Sequence, residues 1–206
     1  MYTLVTSSFA QSQNARSNVW FSLMYKYEAN FKNQISGEMG YRTFQFLNHR
    51  RNLFTRIIYD YSLLPDLKLG VGFAYFNNYQ FSNDYYINEY RPFVQIGFTK
   101  IIGTSNLSIR LRDEWRAYEC GVDNVNRFRT QIGFDYLLRK KSMKITYENL
   151  YTNPKVIENR YTVGVLFSNN KKTYYIFYSL NHQSNIKYLN KVVNQSVLGF
   201  QYTLAN

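Results

Sequence analysis

The sequence predicts an all-β fold: a single antiparallel up-and-down transmembrane β-barrel of 10–12 strands. Three observations carry this. Apolar and polar residues alternate along most of the chain, which puts them on opposite faces of extended strands. Aromatic residues make up 19% of the 206 residues, with 21 Tyr and 16 Phe, an excess suited to girdles at two membrane interfaces. Tight and longer connections alternate, as they do between the two ends of an outer-membrane barrel.

Eleven strands are read in order. The first, 18–28, carries Trp20. The second, 33–46, sets Ile35, Met39 and Tyr41 toward lipid and Gln34, Ser36, Glu38 and Arg42 toward the lumen. The third, 52–63, separates Leu53, Ile57, Tyr59 and Tyr61 from Arg56 and Asp60. The fourth, 67–77, sets Leu67, Leu69, Val71, Phe73 and Tyr75 opposite Gly70 and Gly72. In the fifth, 89–99, Val94, Ile96 and Phe98 oppose Glu89, Arg91, Gln95 and Gly97. The sixth, 106–119, is the clearest: Leu107, Ile109, Leu111 and Trp115 against Ser108, Arg110, Arg112, Glu114 and Arg116. The seventh, 126–138, opposes Phe128, Ile132, Phe134 and Tyr136 to Arg127, Arg129, Gln131, Gly133 and Asp135. The eighth, 141–151, adds Thr146 and Glu148 to the lumen. The ninth, 158–168, sets Tyr161, Val163, Val165 and Phe167 against Arg160 and Gly164. The tenth is 173–182. The last, 193–205, aligns Leu198, Phe200, Tyr202 and Leu204 on one parity, similar to the C-terminal signal read by barrel assembly machinery.

The tight links are 30–33, 64–66, 102–106, 139–141 and 169–172, where Pro65-Asp66, Gly103 and Asn169-Asn170 supply turn chemistry. The longer links are 47–51, 78–88, 120–125, 152–157 and 182–192. Lumen-side glycines are expected to permit curvature and to leave room for arginines lying across the interior. Two features resist this scheme. Asp113 falls on the lipid parity, which calls for a bulge or an interfacial position. Eleven segments is odd where bacterial single-chain barrels are even, so either 18–28 is not a full wall strand or one loop conceals a twelfth.

On the lumen parity, nine arginines (Arg42, Arg56, Arg91, Arg110, Arg112, Arg116, Arg127, Arg129, Arg160) face six acids (Glu38, Asp60, Glu89, Glu114, Asp135, Glu148). Guanidiniums keep their charge and grip carboxylates in bidentate geometry. The bland expectation is a salt-bridge lattice packing a narrow lumen. The functional one is a constricted path or internal site for a small anionic solute, which the surplus of arginine weakly favours.

The formal net charge is +12, but Lys and Arg are spread over many strands and form no nucleic-acid arm. The expected partners are instead outer-membrane lipid and lipopolysaccharide phosphates. Mean hydropathy is −0.43, and no run of about 18 apolar residues occurs, so no transmembrane helix is expected. Residues 1–13 read as the tail of a secretory signal, with residues 1–10 as a residual signal segment and the barrel from Gln11 onward. Cys120 is the only cysteine, and the two histidines, His49 and His182, fall in expected loops, so no metal site or cofactor is expected. A lipid-modifying enzyme would need a Ser–His pair near the outer interface; His182 with Ser184 and Asn185, and Ser82 with Asp84, are the loop residues available, and no motif locks them together. No catalytic residue is assigned, and catalysis is not expected. The other class is a soluble lipocalin-like barrel, which would turn the aromatic parity inward around an apolar ligand.

In order along the chain stand Trp20, GEMGYR at 37–42, SIRLRDEWR at 108–116, NRFRTQIGFDY at 126–136, ITYENLY at 145–151 and ENRYTVGV at 158–165. With these motifs the chain resembles a family of uncharacterised Gram-negative outer-membrane barrels, grouped as a domain of unknown function. The resemblance implies an exported porin-like barrel and supplies no substrate and no catalytic residues.

Overall fold

The alternation closes into a barrel. The computed structural model describes residues 16–44, 49–80, 85–119, 124–138, 141–152, 156–169, 171–185 and 188–206. The segment read as a signal tail, Cys120, Ser82 and Asp84 lie outside the described residues. Eleven strands follow in order: β1 (Arg16–Glu28), β2 (Asn33–Phe44), β3 (His49–Leu64), β4 (Leu67–Gln80), β5 (Tyr85–Ile102), β6 (Ser105–Tyr118), β7 (Val125–Leu138), β8 (Lys141–Thr152), β9 (Val156–Asn169), β10 (Lys172–Asn185) and β11 (Tyr188–Ala205). Each pairs with its sequence neighbour in antiparallel fashion, and β1 closes on β11.

That closure settles the strand count differently from either expectation. β1 is a full wall strand, hydrogen-bonded to β2 on one side and to β11 on the other. With an odd number of strands the last and first run the same way, so the β1–β11 seam is parallel, from Arg16↔Gln195 to Lys26↔Ala205. Two expected long links also shrink. β4 continues to Gln80 and β5 starts at Tyr85, while β10 continues to Asn185 and β11 starts at Tyr188. Asn78, Gln80, Asn88, Gln183, Ser184 and Asn185 interrupt the alternation of the sequence there, which is why periodicity missed these extensions. His49 and His182 likewise sit on strands rather than in loops.

The outer face is apolar. Tyr59, Phe73, Ile96 and Phe134 are 42%, 44%, 49% and 42% exposed, so the aromatic parity points outward and not into a ligand cavity. Toward the long-link end, tyrosines are tied to asparagines: Tyr75 Oη donates to Asn88 Oδ1 (2.7 Å) and Tyr147 Oη to Asn159 Oδ1 (2.8 Å). Such half-wet pairs suit a membrane interface. Asp113 stays outward. No register shift occurs there, with Val94↔Asp113 and Asp113↔Phe128 in line, so a bulge is excluded. It is the next outward residue below Trp115. Above it the β5–β6 ladder skips Pro92, which has no N–H to give.

The inner face holds more than charge. Phe54, Ile58, Ala74, Phe76 and Phe93 form a buried cluster inside the β3–β5 wall. The close approaches of glycine serve rings here rather than arginines. A Cβ at Gly40 would overlap the Phe54 ring, and one at Gly199 the Phe177 ring.

Candidate functional site in the barrel lumen

All fifteen charged residues expected in the lumen lie on the inner parity of their strands. Those of β5–β9, Asp135 excepted, form one lattice, because neighbouring strands bring alternate residues side by side. The Arg112↔Arg129 and Glu114↔Arg127 pairs lie across β6–β7, and Glu148↔Arg160 across β8–β9. Glu89 accepts from Arg91 (Nε 2.6 Å, Nη2 2.7 Å) and from Arg116. Glu114 accepts from Arg127 and from Arg129 Nη1 (2.8 Å), with Arg112 Nη1 at 3.4 Å. Glu148 accepts from Arg129 Nε (3.1 Å) and Arg160 Nη1 (2.9 Å), with Arg110 Nη2 at 3.5 Å. Three carboxylates with side chains 0%, 3% and 4% exposed are thus shared among seven guanidiniums. Among the described residues, Glu158, bonded to Arg160 at 2.8 Å, adds a further acid to this lattice.

The remaining members lie apart from it. Arg56 pairs with Glu38 on the β2–β3 wall. Asp60 accepts from Gln95 Nε2 (2.8 Å), whose Oε1 in turn accepts from Arg112 Nη2 (2.6 Å). Asp135 pairs with Lys144 (3.5 Å) toward the short-turn end. Arg42 lies over aromatic rings, its Cζ 4.1 Å from the Trp20 centroid and 4.7 Å from Phe54. Arg91 and Arg112 also stack, at 3.6 Å over Phe76 and 4.2 Å over Phe93. Cation–π stacking holds a guanidinium plane in place while its edge stays available to an anion.

The interior is not filled. A cavity of about 1030 Å³ runs inside the wall, from Lys26, Lys144 and Thr203 near the short turns to Asn78, Tyr79 and Gln183 near the other rim. Among the described residues, ten cations line it (Lys26, Arg42, Arg56, Arg91, Arg110, Arg116, Arg127, Arg129, Lys144, Arg160) against three acids (Glu38, Glu148, Glu158). Glu89 and Glu114 sit behind the arginines they serve and do not line it.

Residues 17–195 match the family described as "Protein of unknown function (DUF2490)". The chain belongs to this family. No curated protein sequence matches this DUF2490 member. Among solved structures it is similar to LpxR from Salmonella typhimurium (TM-score 0.52, 9% identity, covering 84% of this chain and 83% of that one). It is similar to the NanC porin (TM-score 0.50, 14% identity, 79% and 86%). It also matches OmpT of Vibrio cholerae (TM-score 0.46, 13% identity, 79% of this chain), of which it spans only 54%. At these identities the likeness concerns the fold, which is that of outer-membrane β-barrels.

Sequence reasoning left several lumen residues unassigned. Lys144 shares the parity of Thr146 and Glu148, and Glu158 that of Arg160, so the signal for both was present. Phe54, Ile58, Phe76 and Phe93 also follow the lumen parity, but their oiliness hid them in a pattern sorted by polarity. The serine and histidine weighed for hydrolysis are not joined. His182 Nδ1 meets Asn194 Oδ1 at 2.8 Å, while Ser184 Oγ reaches the Ile157 carbonyl at 3.5 Å.

Proposed function

We propose that this protein resides in the outer membrane, with lipid and lipopolysaccharide against its apolar band, and passes small anionic solutes through its lumen. The final strand, β11, is the segment that barrel assembly machinery would read. The observation that carries the proposal is the cavity lining of ten cations against three acids. In a low-dielectric enclosure such a surplus raises the local concentration of anions and repels cations. Spread along a hydrocarbon thickness of about 30 Å, the cavity has a mean cross-section on the order of 35 Å², one small solute wide. Arginine suits a path better than a trap here: each guanidinium already shares a carboxylate or a ring, so an entering anion competes for it and can leave.

Flux into proteoliposomes tests this. Small monovalent anions should enter severalfold faster than cations of equal size. Arg110→Glu, at the most exposed arginine of the lattice, should reduce that preference. Equal flux of both, or none above empty vesicles, would contradict passage. Recovery of the native protein in the soluble periplasmic fraction would contradict the location.

A further inference from the structure

A row of inward residues crosses four strands near the long-link end of the lumen: Trp20, Arg42, Asn52 and Asn78, each the cross-strand partner of the next. All four line the cavity. The buried polar atoms with no partner in this row include Trp20 Nε1 and Asn52 Oδ1. The first is a donor and the second an acceptor.

The orientation of Asn52 follows from its neighbours. Glu89 can only accept, so Asn78 turns its amide nitrogen to it (Nδ2 to Oε2, 2.8 Å). The Asn78 oxygen then faces Asn52, which must answer with its own nitrogen (Nδ2 to Oδ1, 3.3 Å). Asn52 is 5% exposed, and its oxygen is left as an acceptor in a wall otherwise rich in donors. Leaving such an atom unmet is costly, so it points to a ligand that donates. An inorganic anion has only lone pairs. It can answer Trp20 but not Asn52.

We propose that the Trp20–Arg42–Asn52 row recognises a hydroxylated carboxylic acid of the sugar-acid class: its carboxylate meets Arg42 and the Trp20 N–H, and one of its hydroxyls donates to Asn52 Oδ1. This rests on the reading of the lumen as an anion path and adds the chemistry of the solute. Arg160, with Cζ 5.4 Å from the Trp20 ring, is a second cation within reach of the same carboxylate.

The test uses Trp20 as its own reporter. The protein holds two tryptophans, and Trp115 is outward and 54% exposed, so Trp115→Phe leaves Trp20 as the only indole. In detergent micelles at fixed ionic strength, its emission is titrated with glucuronate, acetate and glucose. Glucuronate should give a saturable change about tenfold tighter than acetate, the order that one buried hydrogen bond carries, and glucose none in the same range. Asn52→Leu, checked for heat-modifiable migration of the folded barrel, should bring glucuronate to the level of acetate. Equal affinity for glucuronate and acetate, no saturable change, or indifference of glucuronate binding to Asn52→Leu would overturn the proposal. Should Asn52→Leu fail to fold, the three ligands on the protein with Asn52 intact still decide. An anion-selective lumen without preference for glucuronate removes this inference alone, whereas a lumen without anion selectivity removes the reading beneath it.

Discussion

The two walls of the lumen follow the same alternation and end in opposite states. On β5–β9 nearly every inward polar group is engaged, and seven arginines are braced by three shared carboxylates. On β1–β4 rings and amides stand among the charges of Glu38, Arg42, Arg56 and Asp60, and the buried atoms without a partner there include Asn18 Oδ1, Trp20 Nε1, Asn52 Oδ1 and Arg56 Nε. The first wall is a finished lattice that sets the sign of the field. The second is unfinished and can take a partner. A cation-lined barrel therefore need not be uniform: one side holds charge in place, and the other, in the proposed reading, discriminates among anions.

The largest expected break in this contrast is Glu114→Gln. It removes a carboxylate shared by Arg112, Arg127 and Arg129 and leaves buried cations uncompensated, which should cost about 3–5 kcal/mol of stability in urea titrations of refolded protein. A mild effect would mean that the lattice is looser and wetter than its geometry implies. Next comes Gly40→Ala on the other wall. A methyl there forces the Phe54 ring aside, at a cost of about 1–3 kcal/mol by the same titration, with the arginine lattice left intact.

Phe76→Leu takes the aromatic face from beneath Arg91, at 3.6 Å, while keeping the bulk of the side chain apolar. The expected loss is about 1 kcal/mol, since the Glu89 pairing persists. The smallest effect lies outside both walls. Glu119, beyond the end of β6, accepts from Tyr90 Oη (2.6 Å) and Asn88 Nδ2 (2.8 Å), and these donors hold its carboxyl below the usual range. Its contribution is complete above the unfolded-state value and fades as pH falls through the lowered folded-state value. Tyr90→Phe should move the Glu119 titration, followed by NMR in micelles, upward toward the ordinary range while leaving overall stability nearly unchanged.

Much of this architecture was legible in the sequence because a barrel that is apolar outside and largely polar within sorts residues by polarity. Arg110–Arg112–Glu114–Arg116 could be placed inside from spacing alone. Their partners could not, since pairing depends on register across strands, and spacing within one strand does not fix register. The parallel closure was illegible for a similar reason: whether β1 is a wall strand is decided by what it meets on β11, some 180 residues away. The aromatic half of the lumen was missed because Phe54 and Phe76 are oily on the polar parity. A rule that equates oily with outward fails wherever a guanidinium prefers a ring to water. Asp113 is the converse case, an acid left on the outer face without a bulge.

The central claim is that the lumen selects anions. Its most direct measurement is the reversal potential of the protein in a planar bilayer under a potassium chloride gradient. The account predicts conductance steps whose reversal potential lies toward the chloride equilibrium value and moves toward the potassium value in Arg110→Glu. A wild-type reversal potential at or beyond zero on the potassium side, or no conductance at all, would contradict it.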